Sequence, residues 1–227
     1  MHSRPFHFDS CGPLCSHAYV APLVLHLLAG QPEGARILDL GCGNGSLLSV
    51  CQGRGWKLHG IDLSVSAIKL ARECHPSVSF SVGDVTETVT YPPNYFDAIA
   101  STEVIEHLYN PRQFIANCYR LLKPRGKLIL STPYHGYLKN LALAVAGKFD
   151  AHFTALDEGG HIKFWSRRTL ATALREAGFQ EIGFAGAGRF PLLWKSMVMT
   201  ATTADCRLSY PEGQAFVPHP LSISRSA

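Results

Sequence analysis

The sequence predicts a doubly wound α/β fold, a mostly parallel sheet with helices on both faces. Three observations carry this. Short apolar runs alternate with helical patterns over residues 16–202, as strands buried on both faces and their crossover helices do. A glycine-rich turn, Gly41-Cys-Gly-Asn-Gly45, follows the first of those runs. Asp62 and Asp84 stand at or just after the ends of the next two, the edge at which such sheets bind ligands.

Taken in order, Ser16 to Ala29 reads as a first helix with Ser16 as its N-cap. Arg36 to Leu40 is the first strand, and the glycine turn leads into a helix reaching about Gly53. Trp56 to Ile61 is the second strand, and Ser64 caps a helix to Cys74 that Pro76 closes. Val78 to Val82 and Phe96 to Ser101 are the third and fourth strands. Pro111 opens a helix to Leu122, since its missing N–H costs nothing in a first turn. Lys123 to Gly126 ends that helix, and Lys127 to Ser131 is the fifth strand. The pattern then loosens into an insertion over about 133–160 with one apolar helical piece. Ser166 to Ala177 is a last helix stopped by Gly178, and Glu181 to Ala187 and Ser196 to Thr202 are two final strands. One domain over 1–202 and an ill-ordered Pro/Ser-rich tail over 203–227 are expected.

Composition narrows the class. A chain of 227 residues with 46% hydrophobic and 17% charged residues can bury a sizeable core and is not a disordered polymer. The net charge of +4 is small and scattered, so nucleic acid is not required as a partner. Seven cysteines form neither an even framework nor CxxC pairs, so reduced thiols are expected. Cys11 and Cys15 lack the second pair a zinc site needs. No apolar stretch is long enough to span a bilayer and residues 4–9 lack a signal peptide's apolar core, so a cytoplasmic protein is expected.

The glycine turn is the first chemical signal. Glycines tolerate positive φ and let backbone approach a ligand closely. The pattern is GxGxG, because Ser46 stands where a dinucleotide fingerprint wants glycine or alanine. Asp62, 23 residues after Asp39, can accept both hydroxyls of a ribose. Asp84 can accept from an adenine amino group. Each aspartate alone is an ordinary strand-end residue; the three features in register are not.

In motif order and spacing from about Ser16 to Thr202, the chain resembles the class I S-adenosylmethionine-dependent methyltransferases. The resemblance implies a Rossmann-like sheet of seven strands, the last antiparallel and inserted between the fifth and sixth. It implies S-adenosylmethionine as cofactor, with Asp39, Gly41, Cys42, Gly43 and Gly45 beside its methionine part. Asp62 and Leu63 then hold the ribose, and Asp84 and Val85 the adenine.

A second constellation follows the fourth strand, in Ser101-Thr-Glu-Val-Ile-Glu-His-Leu108. If Glu103 begins a helical turn, Glu106 and His107 share its face at i+3 and i+4. Two carboxylates and an imidazole so crowded are costly unless a proton or cation is shared. A divalent metal resolves that cost, oxygen ligands favouring Mg²⁺ or Mn²⁺ and imidazole admitting Zn²⁺. A solvated helix start accounts for the same residues.

ExxEH, then Ser131-Thr-Pro133, then Gly160-His-Ile-Lys-Phe-Trp-Ser166 is similar in order to two groups. One is the O-methyltransferases of ubiquinone biosynthesis. The other is the small-RNA 2′-O-methyltransferases, whose metal is held by two glutamates and two histidines. By that match Glu103, Glu106, His107 and His161 are the metal ligands, with His135 and His152 as weaker candidates. His107 or His161 can instead serve as a metal-free general base. The activity implied is methylation of a small-molecule hydroxyl, a catechol or quinone precursor. RNA methylation and a non-catalytic cofactor-binding partner are the alternatives. Within the insertion, the apolar piece 137–147 offers either peripheral membrane contact or a helix packed on the core; the second is the simpler expectation.

Overall fold

The computed structural model describes residues 15–153 and 160–205, together with Phe8, Ser10, Gly12 and Pro13. Seven strands form one sheet: β1 (Arg36–Leu40), β2 (Lys57–Asp62), β3 (Ser79–Val82), β4 (Phe96–Thr102), β5 (Leu122–Pro133), β6 (Gln180–Ala187) and β7 (Ser196–Thr202). Their spatial order is β3-β2-β1-β4-β5-β7-β6. β1 pairs in parallel with β2 and β4, β2 with β3, and β4 with β5. β7 runs antiparallel to both β5 and β6, between them. This is the arrangement expected from the resemblance.

Alternation along the strands sends side chains to two cores. Helices α1 (His17–Leu28), α2 (Ser46–Ser49) and α3 (Val65–Cys74) cover one face, where Val20, Val24 and Leu28 meet Ile37, Leu47, Ile68, Ala98 and Ile129. Helices α4 (Pro111–Leu121) and α7 (Arg167–Glu176) cover the other, where Phe114, Leu121, Leu170 and Leu174 pack on Leu38, Phe96, Ile99 and Met199. Burial on both faces is why β1 and β4 read as almost unbroken apolar runs.

The termini of the elements correct several expectations. Ser16 is itself helical and its hydroxyl caps nothing. The helix after the glycine turn stops at Ser49, and Cys51 and Gln52 continue in i→i+3 turns towards the left-handed Gly53. β5 extends well beyond the expected Lys127–Ser131, because Leu122 pairs with Phe96 before a register irregularity restores pairing at Ala98–Lys127. The chain also stays on the fold past Thr202. Thr203 is buried and exchanges backbone and side-chain hydrogen bonds with Gly126. Residues 206–227 of the expected tail lie outside the described residues. Among the cysteines, Cys15, Cys42, Cys51 and Cys118 are free as expected, whereas Cys74 is disulfide-bonded.

The insertion holds two helices, α5 (Tyr137–Val145) and α6 (Phe149–Phe153). The expectation that 137–147 packs its apolar side inward is not met. In α5 only Lys139 is buried, while Tyr137, Leu138, Leu141 and Val145 are exposed. No helix among the described residues is long and apolar enough to cross a membrane.

Candidate active site

The site is built on the carboxyl ends of β1, β2, β4 and β5. After β1 the backbone turns through three left-handed glycines, Gly41, Gly43 and Gly45. The turn is pinned to β2, since the Ile61 carbonyl accepts from the N–H groups of both Gly41 and Cys42. At Gly41 a Cβ would stand 2.5 Å from Val104, and at Gly43 2.7 Å from the Phe8 ring. Side chains therefore close on this turn as tightly as a ligand would, and positive φ is needed besides.

Asp62 ends β2 and locks the turn from below. One of its carboxylate oxygens accepts from Gly43 N–H and the other from Ser64 N–H, both at 2.8 Å. Each oxygen retains a second lone pair. Asp84 folds on itself in an Asx turn, one oxygen accepting from the N–H and hydroxyl of Thr86 at 2.7 Å. Leu63 is half-buried. Val85 is buried in the core beside Leu40 and Ile61, and Cys42 is buried on the opposite core.

Asp39 lies beneath the turn at 2% exposure, and one of its carboxylate oxygens has no hydrogen-bond partner. Burial and the neighbouring charge of Asp62 push its carboxyl up to about 8.

Past β4, the predicted quartet separates into one residue and three. The helical turn does not begin at Glu103. That residue adopts φ 56°, and a short 3-10 turn forms only over Ile105–His107. Glu103 instead faces the sheet edge, its two oxygens accepting from the hydroxyls of Ser131 (2.6 Å) and Ser196 (3.2 Å). Burial still raises its carboxyl above the ordinary range.

Glu106, His107 and His161 do converge: one ligand atom from each lies within 4.8 Å of the other two. His161 is brought there by backbone, because the Glu106 carbonyl accepts from Ile162 and Lys163 N–H, both at 2.9 Å. The Gly160 carbonyl stands 3.2 Å from His107 Nδ1, and the two imidazole rings meet edge to face at 5.0 Å. Glu106 is fully buried and neither of its carboxylate oxygens meets a donor at hydrogen-bond distance; His107 Nε2 stands 4.0 Å from one of them, and the adjacent Thr132 hydroxyl is near enough to favour the ionised form. Burial and the charge of Glu103 drive its carboxyl well above normal. His135 and His152 are not part of this group.

Some residues of the site carried no signal in the sequence. His17, at the start of α1, is buried with Nδ1 2.8 Å from the Ser46 hydroxyl and Nε2 3.4 Å from that of Thr102. It joins the start of α2 to the end of β4. Ser196 and Lys139 are equally silent, since their roles depend on strands and helices far apart in the chain.

Comparison with known proteins identifies the family and the fold. A family model described as a methyltransferase domain matches residues 16–182. The ubiquinone biosynthesis O-methyltransferase of Thiobacillus denitrificans is 34% identical over 165 residues, covering 70% of each chain. That of Xanthomonas axonopodis pv. citri is 35% identical over 183 residues, 76% of this chain and 75% of the other. A putative methyltransferase of Bacillus halodurans superposes with TM-score 0.64 at 18% identity, covering 80% of this chain and 98% of that one. A SAM-dependent methyltransferase of Archaeoglobus fulgidus also gives 0.64, at 19% identity and with coverage of 81% and 93%.

The buried aspartate yields a pH test. Asp39 keeps its proton to about pH 8 when folded, whereas an unfolded carboxyl loses it near pH 4. Ionisation of the unfolded chain therefore lowers stability as pH rises between those values. Denaturant titrations of the cofactor-free protein should show Asp39→Asn more stable than wild type at pH 7.5, by a margin that shrinks towards pH 4.5. A margin independent of pH would show that Asp39 is ionised in the fold.

The turn, its aspartates and the sheet order thus meet in one assignment: the chain belongs to the methyltransferase domain family and is an S-adenosylmethionine-dependent methyltransferase.

Proposed function

We propose that the enzyme methylates a hydroxyl of a small aromatic acceptor, a catechol-like compound or quinone precursor. The observation that carries this reading is the convergence of Glu106, His107 and His161 beside the glycine turn, to which Val104 links them by packing on Gly41. The names of the relatives support the same acceptor class.

S-adenosylmethionine supplies an electrophilic methyl group on a positively charged sulfur. Asp62 is read as the ribose acceptor, its spare lone pairs facing outward from a carboxylate already fixed by Gly43 and Ser64. Asp84, Leu63 and Val85 are read as the adenine and ribose surroundings, and Asp39, Gly41, Cys42, Gly43 and Gly45 as the methionine side. The carboxylate of Asp62 favours a cationic ligand over a pyrophosphate, and a cation beside the turn would also draw the proton from Asp39.

The trio fits a divalent cation. Its donor set is a carboxylate and two imidazoles, and the buried Glu106 oxygens reach no donor at hydrogen-bond distance, His107 Nε2 standing 4.0 Å from one of them. That set suits Zn²⁺ or Mn²⁺ better than the all-oxygen shell Mg²⁺ prefers. Such an ion lowers the pKa of a hydroxyl and turns its lone pair towards the methyl group. Glu106, His107 and His161 would hold it, while Glu103, engaged by Ser131 and Ser196, braces the edge from which they project. Without an ion, His161 is the exposed imidazole that can take the acceptor's proton.

The outer face of α5 supports a peripheral contact with a bilayer through 137–147. Four apolar side chains stand exposed there, with Lys148 just beyond the helix.

Three experiments follow. Asp62→Ala should weaken S-adenosylmethionine binding by about 1.5–3 kcal/mol in calorimetric titration, the loss of charge-assisted hydrogen bonds; an unchanged affinity would remove its ribose role. Chelator treatment should abolish methylation of catechols, with Zn²⁺, Mn²⁺ or Mg²⁺ restoring it, and undiminished turnover would remove the metal from the reaction. In vesicle flotation the protein should rise with lipid, and the double change Leu141→Glu and Val145→Glu should release it. Failure of the wild type to float would end the membrane reading.

A further inference from the structure

The insertion gathers a second cluster of polar side chains that the proposed methyl transfer does not use. His135, just past β5, is buried at 9% exposure, and neither of its ring nitrogens has a hydrogen-bond partner. Its ring is clamped by Phe153, stacked at 5.8 Å, and by Phe164, edge-on at 5.2 Å. The His152 ring lies 5.9 Å away. The Asn140 side chain is near enough to favour the protonated ring, yet neither nitrogen reaches a partner at hydrogen-bond distance, so the buried ring keeps hydrogen-bonding capacity to spare.

Cations surround it. Lys139, the one buried residue of α5, donates to the Tyr134 carbonyl at 2.8 Å, which uses one of the three N–H bonds of its ammonium. Arg189 approaches from the loop between β6 and β7, where it adopts φ 59°. It lies close enough to Lys139 and His152 for its charge to lower the proton affinity of both. Burial and the charges of Lys139, His152 and His161 likewise push His135 down to about 4, so its imidazole is neutral at pH 7. Among the described residues, Glu103 is the acid within reach of Lys139, and its oxygens are engaged by Ser131 and Ser196. Among the described residues, two permanent cations and a buried imidazole with spare hydrogen-bonding capacity are thus brought together with Glu103 as the acid within reach of Lys139.

We propose that His135, Lys139 and Arg189 form a binding site for an anionic group, a carboxylate or phosphate, carried by the methyl acceptor. The site deepens the hydroxyl-methylation reading and rests on it: the anion anchors one end of the acceptor while its hydroxyl reaches the Glu106, His107 and His161 trio. It distinguishes acidic acceptors from neutral ones of the same ring size, because a neutral ring leaves the buried Lys139 with the Tyr134 carbonyl and the distant charge of Glu103 as its compensation.

The test compares catechol with its carboxylated counterpart, protocatechuate, titrated calorimetrically into the full chain saturated with S-adenosylhomocysteine at pH 7.5. Protocatechuate should bind about tenfold tighter or better, the size of one charge-assisted hydrogen bond. Inorganic phosphate should compete with it and not with catechol. Lys139→Gln and Arg189→Gln should each narrow the gap, and Arg189, on an exposed loop, keeps the test open should Lys139→Gln fail to fold. Equal affinities, no binding of either compound, or a gap that both variants preserve would overturn the site and leave Lys139 a mere counter-ion to Glu103. Protocatechuate that binds in the expected pattern but is not methylated would leave the anion site standing and count against the hydroxyl-methylation reading.

Discussion

Negative charge held out of water organises the functional edge of this molecule. Asp39, Asp62, Glu103 and Glu106 all stand at the carboxyl ends of β1, β2 and β4, and burial raises the proton affinity of each. Desolvating a carboxylate is expensive unless hydrogen bonds or a cation compensate. Asp62 is compensated by two backbone N–H groups and Glu103 by two serine hydroxyls. Asp39 and Glu106 are less well served, one oxygen of the first and both of the second reaching no donor at hydrogen-bond distance. On the proposed reading these two lie on the two sides of the reaction, one below the glycine turn and one facing the acceptor. A cationic sulfonium ligand would meet the first deficit and the proposed divalent ion the second.

A single short segment couples the sides. Thr102 ends β4, Glu103 turns the backbone through positive φ, and Val104 lies over Gly41. Glu106 then uses its carbonyl to hold residues 162 and 163. A shift in the glycine turn therefore presses on Val104 and reaches the residue that fixes His161. Close packing transmits such displacements because the interior has little free volume to absorb them. The left-handed Glu103 is a costly conformation for a side chain with a Cβ, sustained here by its two hydroxyl donors.

Much of this was legible in the sequence, and the failures share a cause. The strands in chain order, the glycine turn and the positions of Asp62 and Asp84 follow from local periodicity and residue type, and the resemblance to class I methyltransferases supplied the order of the strands in the sheet. Glu103 does not. Spacing alone assigns it to a helix face with Glu106, whereas its hydroxyl partners come from β5 and from β7, 93 residues away. Thr203 was missed likewise, since its pairing with Gly126 bridges 77 residues. α5 misleads differently. Sequence reasoning assumes that apolar residues turn inward, yet this helix buries its lysine and exposes its leucines. Periodicity reports a two-sided helix and is silent about which side faces the protein.

That inversion ties the insertion to the chemistry below it. A helix that buries Lys139 loses the hydration of an ammonium, and one carbonyl from Tyr134 replaces only part of it. Turning the helix over would bury Leu138 and Leu141 and free the lysine, which hydrophobic burial alone would favour. The observed orientation therefore needs negative charge beneath α5 and an apolar surface above it. Glu103 contributes some of the first, though its charge is already shared between Ser131 and Ser196. On the proposed readings, an acidic acceptor would complete it, drawn in under a helix whose outer face would lie against lipid.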